Sequence, residues 1–291
     1  MSSFLLGAPP GALSSGPRTV WVDTDLALGA WRGDVDDGYA LAAILAAPDV
    51  QLLGISTVSG NAPSDVAYRC GRALLQATGR SHPLIQGASR PGQDSAAAEA
   101  IAALPEGSAV LALGPLSNIA AALRRDPRLA ERITVYLVGG NLQSWGRFPP
   151  VWPHEFNLAI DAPAAAAVFS APLRRRVHPL PGCGRLLVSP IELARIAAAS
   201  PLGAYLVRHS LRWLSLSPFR LRALRFPLWD LAPALDFLGL LPARVDTQRV
   251  RLQGRGLLRL DASASPSEFV YPQDIPTALS HFRQLLAASR L

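Results

Sequence analysis

The sequence contains no lysine: all 28 residues counted as Lys+Arg are arginine. That absence removes Schiff-base and lysine-nucleophile chemistry and the phosphate-gripping lysine of a Walker loop. Cysteine is scarce, with Cys70 and Cys183 far apart. No Cys-x-x-Cys metal spacing exists and no disulfide framework is expected, so both thiols read as reduced in a cytoplasmic protein. No apolar run is long enough to cross a bilayer. The Gly/Pro/Ser-rich stretch from Met1 to Pro17 lacks the basic and apolar regions of a secretory signal. Residues 1–17 are expected to be flexible and 18–291 to form one domain.

Charged residues are only 17% of the chain, and hydrophobic residues are 49%, enough for a large core. The net charge is +7 and the sequence pI near 10.4. The densest basic run is Arg174-Arg175-Arg176, with a looser group at Arg220, Arg222 and Arg225. No aromatic stacking platform interleaves with them, so they read as a solvated positive surface and no nucleic-acid partner is expected.

Short β-branched runs alternate with alanine-rich stretches. Strands are expected at 19–23, 51–58, 83–85, 110–113 and 134–138. Helices are expected at 37–47, 64–78, 117–124 and 162–170. The chain then turns more helical, at 189–198, 202–216 and 228–238. A late hairpin follows at 250–252 and 257–260, and a closing helix at 275–289. Strands separated by helices imply βαβ units. The fold class is α/β: a Rossmann-like, mainly parallel sheet flanked by helices in a single domain.

Ligands of such sheets bind beyond the carboxyl ends of the strands. Polar residues collect there: Asp23 and Asp25, then Ser59 to Asn61, Gly114 with Ser117 and Asn118, and Gly139 to Asn141. The acids are the most informative. Five carboxylates (Asp23, Asp25, Asp34, Asp36, Asp37) fall within fifteen residues. Placing them together is costly unless a cation neutralises them, and all-oxygen ligands suit calcium or magnesium. The plainer alternative has Asp34 capping a helix with Asp36 and Asp37 in its first turn. That leaves Asp23 and Asp25 unexplained. Glu155 and Asn157 flank Phe156 with period two; they recognise hydroxyls or belong to an ordinary polar loop. Asp230, among apolar neighbours, reads as a helix N-cap or as a distant carboxylate closing a metal shell.

Together these residues resemble the inosine-uridine preferring nucleoside hydrolase family. Asp23-Thr24-Asp25 and Asp36-Asp37 look like the two halves of its Asp-x-Asp-Pro-Gly-x-Asp-Asp signature. Thr57 to Asn61 resembles its second strand end, and Gly114-Pro-Leu-Ser-Asn118 its Gly-Pro-Leu-Thr-Asn segment. Glu155-Phe156-Asn157 followed by Asp161 matches its Glu-Phe-Asn triplet and continuation. Trp229-Asp230 is similar to its His-Asp pair. The ordered set runs from about residue 19 to 240.

The resemblance implies hydrolysis of the N-glycosidic bond of ribonucleosides to ribose and free base, in purine or pyrimidine salvage. Calcium would be held by Asp25, Asp37, Asp230 and the Leu113 carbonyl, with Asp25 also the general base. Asp36, Asn61, Glu155 and Asn157 would hold ribose hydroxyls. A homo-oligomer, dimer or tetramer, is also implied. Two departures stand out. Residues 26–35 replace the family's Pro-Gly with a longer loop, in which Gly29 and Gly33 permit a return and Asp34 is a substitute ligand. Trp229 replaces the leaving-group histidine and can only stack on a base, leaving His154 as a nearby acid. The family's mid-chain Asp segment is not recognisable around Pro181 to Gly184. A catalytically weak or inactive ribonucleoside-binding protein is the alternative. A dehalogenase-type phosphohydrolase is disfavoured because it expects a later lysine.

Overall fold

Buried residues alternate along the first strand, β1 (Arg18–Thr24), and sort the sheet into two faces. Val20 and Val22 enter one apolar core and Trp21 the other, as the period of two requires. The computed structural model describes residues 18–31, 33–142, 155–216, 225–254, 256–289 and 291. The expected flexible segment 1–17, Arg220, Arg222 and His154 lie outside the described residues.

β1 pairs in parallel with β2 (Val50–Thr57) on one side and β4 (Ala109–Ala112) on the other. β3 (Leu84–Gln86) extends the sheet beyond β2. Beyond β4 come β5 (Thr134–Val138), β7 (Arg174–His178) and β12 (Pro266–Pro272), all parallel. β10 (Ala243–Gln253) runs antiparallel to β12 and to β11 (Leu257–Leu260), and β6 (Asn141–Leu142) completes the ten-stranded order. A separate two-stranded pair joins β8 (Leu187–Val188) to β9 (Phe226–Pro227).

One core is covered by α1 (Asp36–Ala46), α2 (Ser64–Ala77), α8 (Leu180–Cys183), α9 (Pro190–Ala199), α10 (Pro201–Ser215), α11 (Leu231–Phe237) and α12 (Ile275–Ala288). The other is covered by α3 (Ala96–Ala102), α4 (Ser117–Arg125), α5 (Leu129–Arg132), α6 (Phe156–Ile160) and α7 (Ala162–Ser170). Helices on both faces account for the near-continuous apolar runs of the parallel strands. The single mainly parallel α/β domain read from the sequence is therefore the architecture observed. α3, β7 and β12 were not foreseen, nor were the short elements α5, α6, α8, β6, β8 and β9.

The arginine run corrects one expectation. Arg174 is exposed, but Arg175 and Arg176 are buried in β7, at 2% and 7% exposure. Strand alternation sends them to opposite faces. Arg175 donates to the Val168 and Ala171 carbonyls and to Ser267 Oγ, while Arg176 forms a forked pair with Asp236. A buried guanidinium needs such partners, and here the side-chain ones, Ser267 and Asp236, come from remote elements.

Candidate active site

β1 ends at Thr24, so Asp25 leaves the sheet at its carboxyl edge. Its carboxylate accepts the Asn61 backbone N–H at 2.6 Å, just after the β2 end. Gly60 makes this approach possible: a Cβ there would lie 1.9 Å from Asp25 Oδ2. On the β4 side, a Cβ on Gly114 would sit 3.0 Å from the Asp25 backbone nitrogen. The adjoining Leu113 carbonyl accepts Asn157 Nδ2 at 2.9 Å, which leaves it one lone pair.

The inserted loop is packed into the protein body at its start, whereas Trp31 at its turn is 74% exposed. Leu26, Ala27 and Leu28 are buried. Gly29 turns the chain at φ +86°, a left-handed value suited to glycine, and its Cα lies against the His209 ring of α10. The chain then returns to start α1 with Asp36 and Asp37. Val35, not Asp34, occupies the N-cap position, and no side chain caps the helix. Asp34 instead accepts the Val35 N–H. The cap assigned to Asp34 by the plainer alternative therefore fails, while Asp36 and Asp37 do stand in the first turn of α1.

Asp230 occupies the N-cap position of α11, again without a side-chain cap bond. It turns to the acids of α1. Carboxylate oxygens of Asp36, Asp37 and Asp230 lie within 4.8 Å of one another, and all three residues are buried. The Asp230 backbone N–H also faces Asp36 Oδ2 at 3.4 Å. Thr24 Oγ1 donates to Asp37 Oδ1.

Burial, followed by mutual repulsion, pushes Asp36 and Asp230 well above the usual carboxylate range; burial and then the Asp25 charge do the same to Asp37. Asp25 is raised to about 7, chiefly by burial, with the Asn61 N–H opposing and Asp36 and Asp34 adding to it. Among the described residues no arginine or histidine pairs with any of these four acids. Asp25 Oδ1 and Asp37 Oδ2 are buried without a hydrogen-bond partner among the described residues. Such a set is unfavourable unless a cation joins it. Ligand oxygens about 2.3–2.6 Å from a calcium ion stand up to roughly 5 Å apart, so the spacing and the all-oxygen donors fit a hard divalent ion.

The other sequence candidates surround this centre differently. Glu155 caps α6: its two oxygens accept the Asn157 and Leu158 N–H groups. Burial raises its carboxyl to about 7 against those bonds. Asn157 is buried and tied to Leu113. The Asn61 side chain is exposed while its backbone serves Asp25. Trp229 is half-buried beside Asp230, with its indole nitrogen buried and without a partner among the described residues.

Asn118, Ser117 and Asp161 were named from the sequence without a role, and Ser56 was not named at all; the structure gives each one a supporting contact. Asn118 Nδ2 donates to Asp23 Oδ1 and the Thr57 carbonyl, while its Oδ1 accepts from Ala88 N and Ser95 Oγ. Ser56 Oγ also serves Asp23. Asp161 caps α7 and accepts from Ser117 Oγ and Gly92 N. Their signal was position alone, since each stands at a strand end or helix start.

The model of the inosine-uridine preferring nucleoside hydrolase family matches residues 20–235. The chain belongs to that family. Its acid cluster thus falls inside the matched segment. A Salmonella agona protein named non-specific ribonucleoside hydrolase RihC is 32% identical over 209 residues, covering 61% of this chain and 67% of that one. A Salmonella typhi protein of the same name matches equally. The nucleoside hydrolase fold is shared with a plant nucleoside hydrolase, the PpNRh1 enzyme (TM-score 0.79, 20% identity, 93% of this chain and 99% of that one). It is shared too with a purine-preferring ribonucleoside hydrolase from Gardnerella vaginalis (TM-score 0.78, 18% identity, 93% and 98%).

Proposed function

We propose that this nucleoside hydrolase family member cleaves the N-glycosidic bond of ribonucleosides, releasing ribose and free base, with calcium as its metal. The observation that carries the reading is the meeting of Asp36, Asp37 and Asp230 beside Asp25, with buried carboxylate oxygens left unpartnered. Asp25, Asp37, Asp230 and the free lone pair of the Leu113 carbonyl would hold the ion, and Asp36 stands in the same cluster. A cation bound there supplies Lewis-acid hold on sugar hydroxyls and makes water easier to deprotonate.

The chain's own residues do the rest. Asp25 accepts the proton of the attacking water, its carboxylate oriented by the Asn61 N–H. C–N cleavage passes through an oxocarbenium-like sugar, and buried carboxylates stabilise that positive charge. Asp36, Asn61, Glu155 and Asn157 grip ribose hydroxyls. Glu155 retains acceptor capacity beyond its two backbone bonds. Trp229 offers an aromatic face to the base but no proton. The protein acts in the cytoplasm in nucleoside salvage, as a dimer or tetramer.

Trp229 favours one second reading, a ribonucleoside-binding protein with weak or no turnover. Purified protein with a nucleoside panel separates the two. Ribose release that disappears in Asp25→Ala supports the enzyme. Binding without turnover supports the alternative, and neither binding nor turnover contradicts both.

A further inference from the structure

The metal-cluster carboxylate Asp230 rides on α11, a helix of two turns whose other buried residues are apolar: Leu231, Ala232, Pro233, Ala234, Leu235 and Phe237. Apolar packing is non-directional and tolerates a small slide along the helix axis. A calcium shell does not tolerate it, because ligand oxygens must come to about 2.3–2.6 Å. Something directional must fix the helix.

The far end of α11 is fixed by a buried ionic knot. Arg176 presents Nε and Nη2 to the two oxygens of Asp236, at 2.6 and 2.8 Å. His178 Nε2 meets Asp236 Oδ2 at 3.1 Å, and His178 Nδ1 faces the Leu137 carbonyl at 3.2 Å. Arg176 and His178 are two apart on β7 and so share one face of the sheet. Arg176 Nη1 also reaches Glu268 on β12 at 2.5 Å. Arg18 on β1 donates to the Phe237 carbonyl at 2.9 Å. Arg176 and Asp236 side chains are each only 8% exposed.

Buried ion pairs seldom add net stability over apolar replacements of the same volume. A fork with two parallel bonds does fix distance and rotation. Asp236 stands six residues from Asp230 on the same rigid element, about 9 Å at 1.5 Å per residue.

We propose that Asp236, gripped by Arg176 and His178, is a positioning residue that sets Asp230 in the metal shell, so that this knot tunes divalent-cation affinity. The inference rests on the metal reading given above. It assigns a role to residues remote from the substrate, acting through α11 on one ligand.

The test is calcium titration calorimetry on wild type, Asp236→Asn, and the triple variant Arg176→Met, His178→Leu, Asp236→Leu, with metal-free melting temperatures recorded alongside. Terbium emission sensitised by Trp229 gives a second readout. The triple variant separates stability from position, since an apolar knot restores packing without the fork. Both variants are expected to bind calcium roughly 10-fold more weakly, the low end of the loss seen when a direct partner of a metal ligand is removed, because the knot acts on Asp230 through α11, even where the triple variant melts like wild type. A folded variant, single or triple, with wild-type calcium affinity overturns the inference. Wild-type protein that binds no calcium overturns the metal reading and this inference with it.

Discussion

Asp230 and Asp36 are separated by 194 residues, yet the backbone N–H of the first faces Oδ2 of the second at 3.4 Å. Two helix starts converge at that point, α1 with its first-turn acids and α11 with its N-cap acid. Helix N-termini carry partial positive charge, which offsets only part of the repulsion among three buried carboxylates.

Neutralising one of these acids has opposite effects with and without metal. Asp230→Asn is expected to raise the melting temperature of chelated protein, because a buried like charge is removed. The same variant is expected to lose calcium binding and ribose release. Differential scanning calorimetry with and without calcium checks both signs; a lower melting temperature in chelator contradicts the repulsion.

The pH dependence of metal-free stability follows from the raised carboxyls. Asp25 moves from its usual 3.8 to about 7, Asp23 to about 6 through burial against Ser56 and Asn118, and Glu155 from 4.5 to about 7. The folded state therefore keeps protons that the unfolded chain releases. Their contribution is fully present below about pH 4 and is lost as pH rises towards 7. Asp236 runs the other way: burial raises it, but the His178 and Arg176 bonds more than offset this and leave it lowered. Its contribution is held above its unfolded value and lost only on further acidification. Melting curves in chelator should thus decline from pH 5 to 7.5, and Glu155→Gln should flatten that decline. A rise over this window contradicts the assignment.

Much of this was legible in the sequence. β-branched runs ending in Asp or Gly marked β1, β2, β4 and β5, and the acids after β1 marked the metal centre. β7 was not legible, because three adjacent arginines read as surface. Their side-chain partners, Asp236 and Glu268 for Arg176 and the Ser267 hydroxyl for Arg175, lie 60 to 92 residues away, where no local pattern shows them. β12 carries Glu268 and was hidden between prolines for the same reason. The inserted loop gave a signal that went unused: Leu26, Ala27 and Leu28 are too apolar for an exposed lid, and they are buried.

Asn118 is expected to be structural. Its side chain makes four hydrogen bonds, to Asp23, Thr57, Ala88 and Ser95. Asn118→Ala leaves buried partners unmet and should cost about 2–4 kcal/mol. Urea unfolding of the calcium-loaded protein measures it, and a loss under about 0.5 kcal/mol, the range of a surface change, contradicts the network.

Trp229→Ala is expected to lower kcat/KM for nucleosides roughly 5- to 150-fold, the range of one lost base–aromatic stack of about 1–3 kcal/mol. A riboside with a small non-aromatic leaving group should be spared. Equal losses for both substrates would place Trp229 in packing, not in base recognition.

The most direct measurement is ribose release from a ribonucleoside by one preparation, before chelation, after exhaustive EGTA treatment, and after calcium is returned. Turnover that disappears on chelation and returns with about one calcium per chain is the predicted result, one ion being all that a single shell of protein oxygens holds. Undiminished turnover in calcium-free protein contradicts the account.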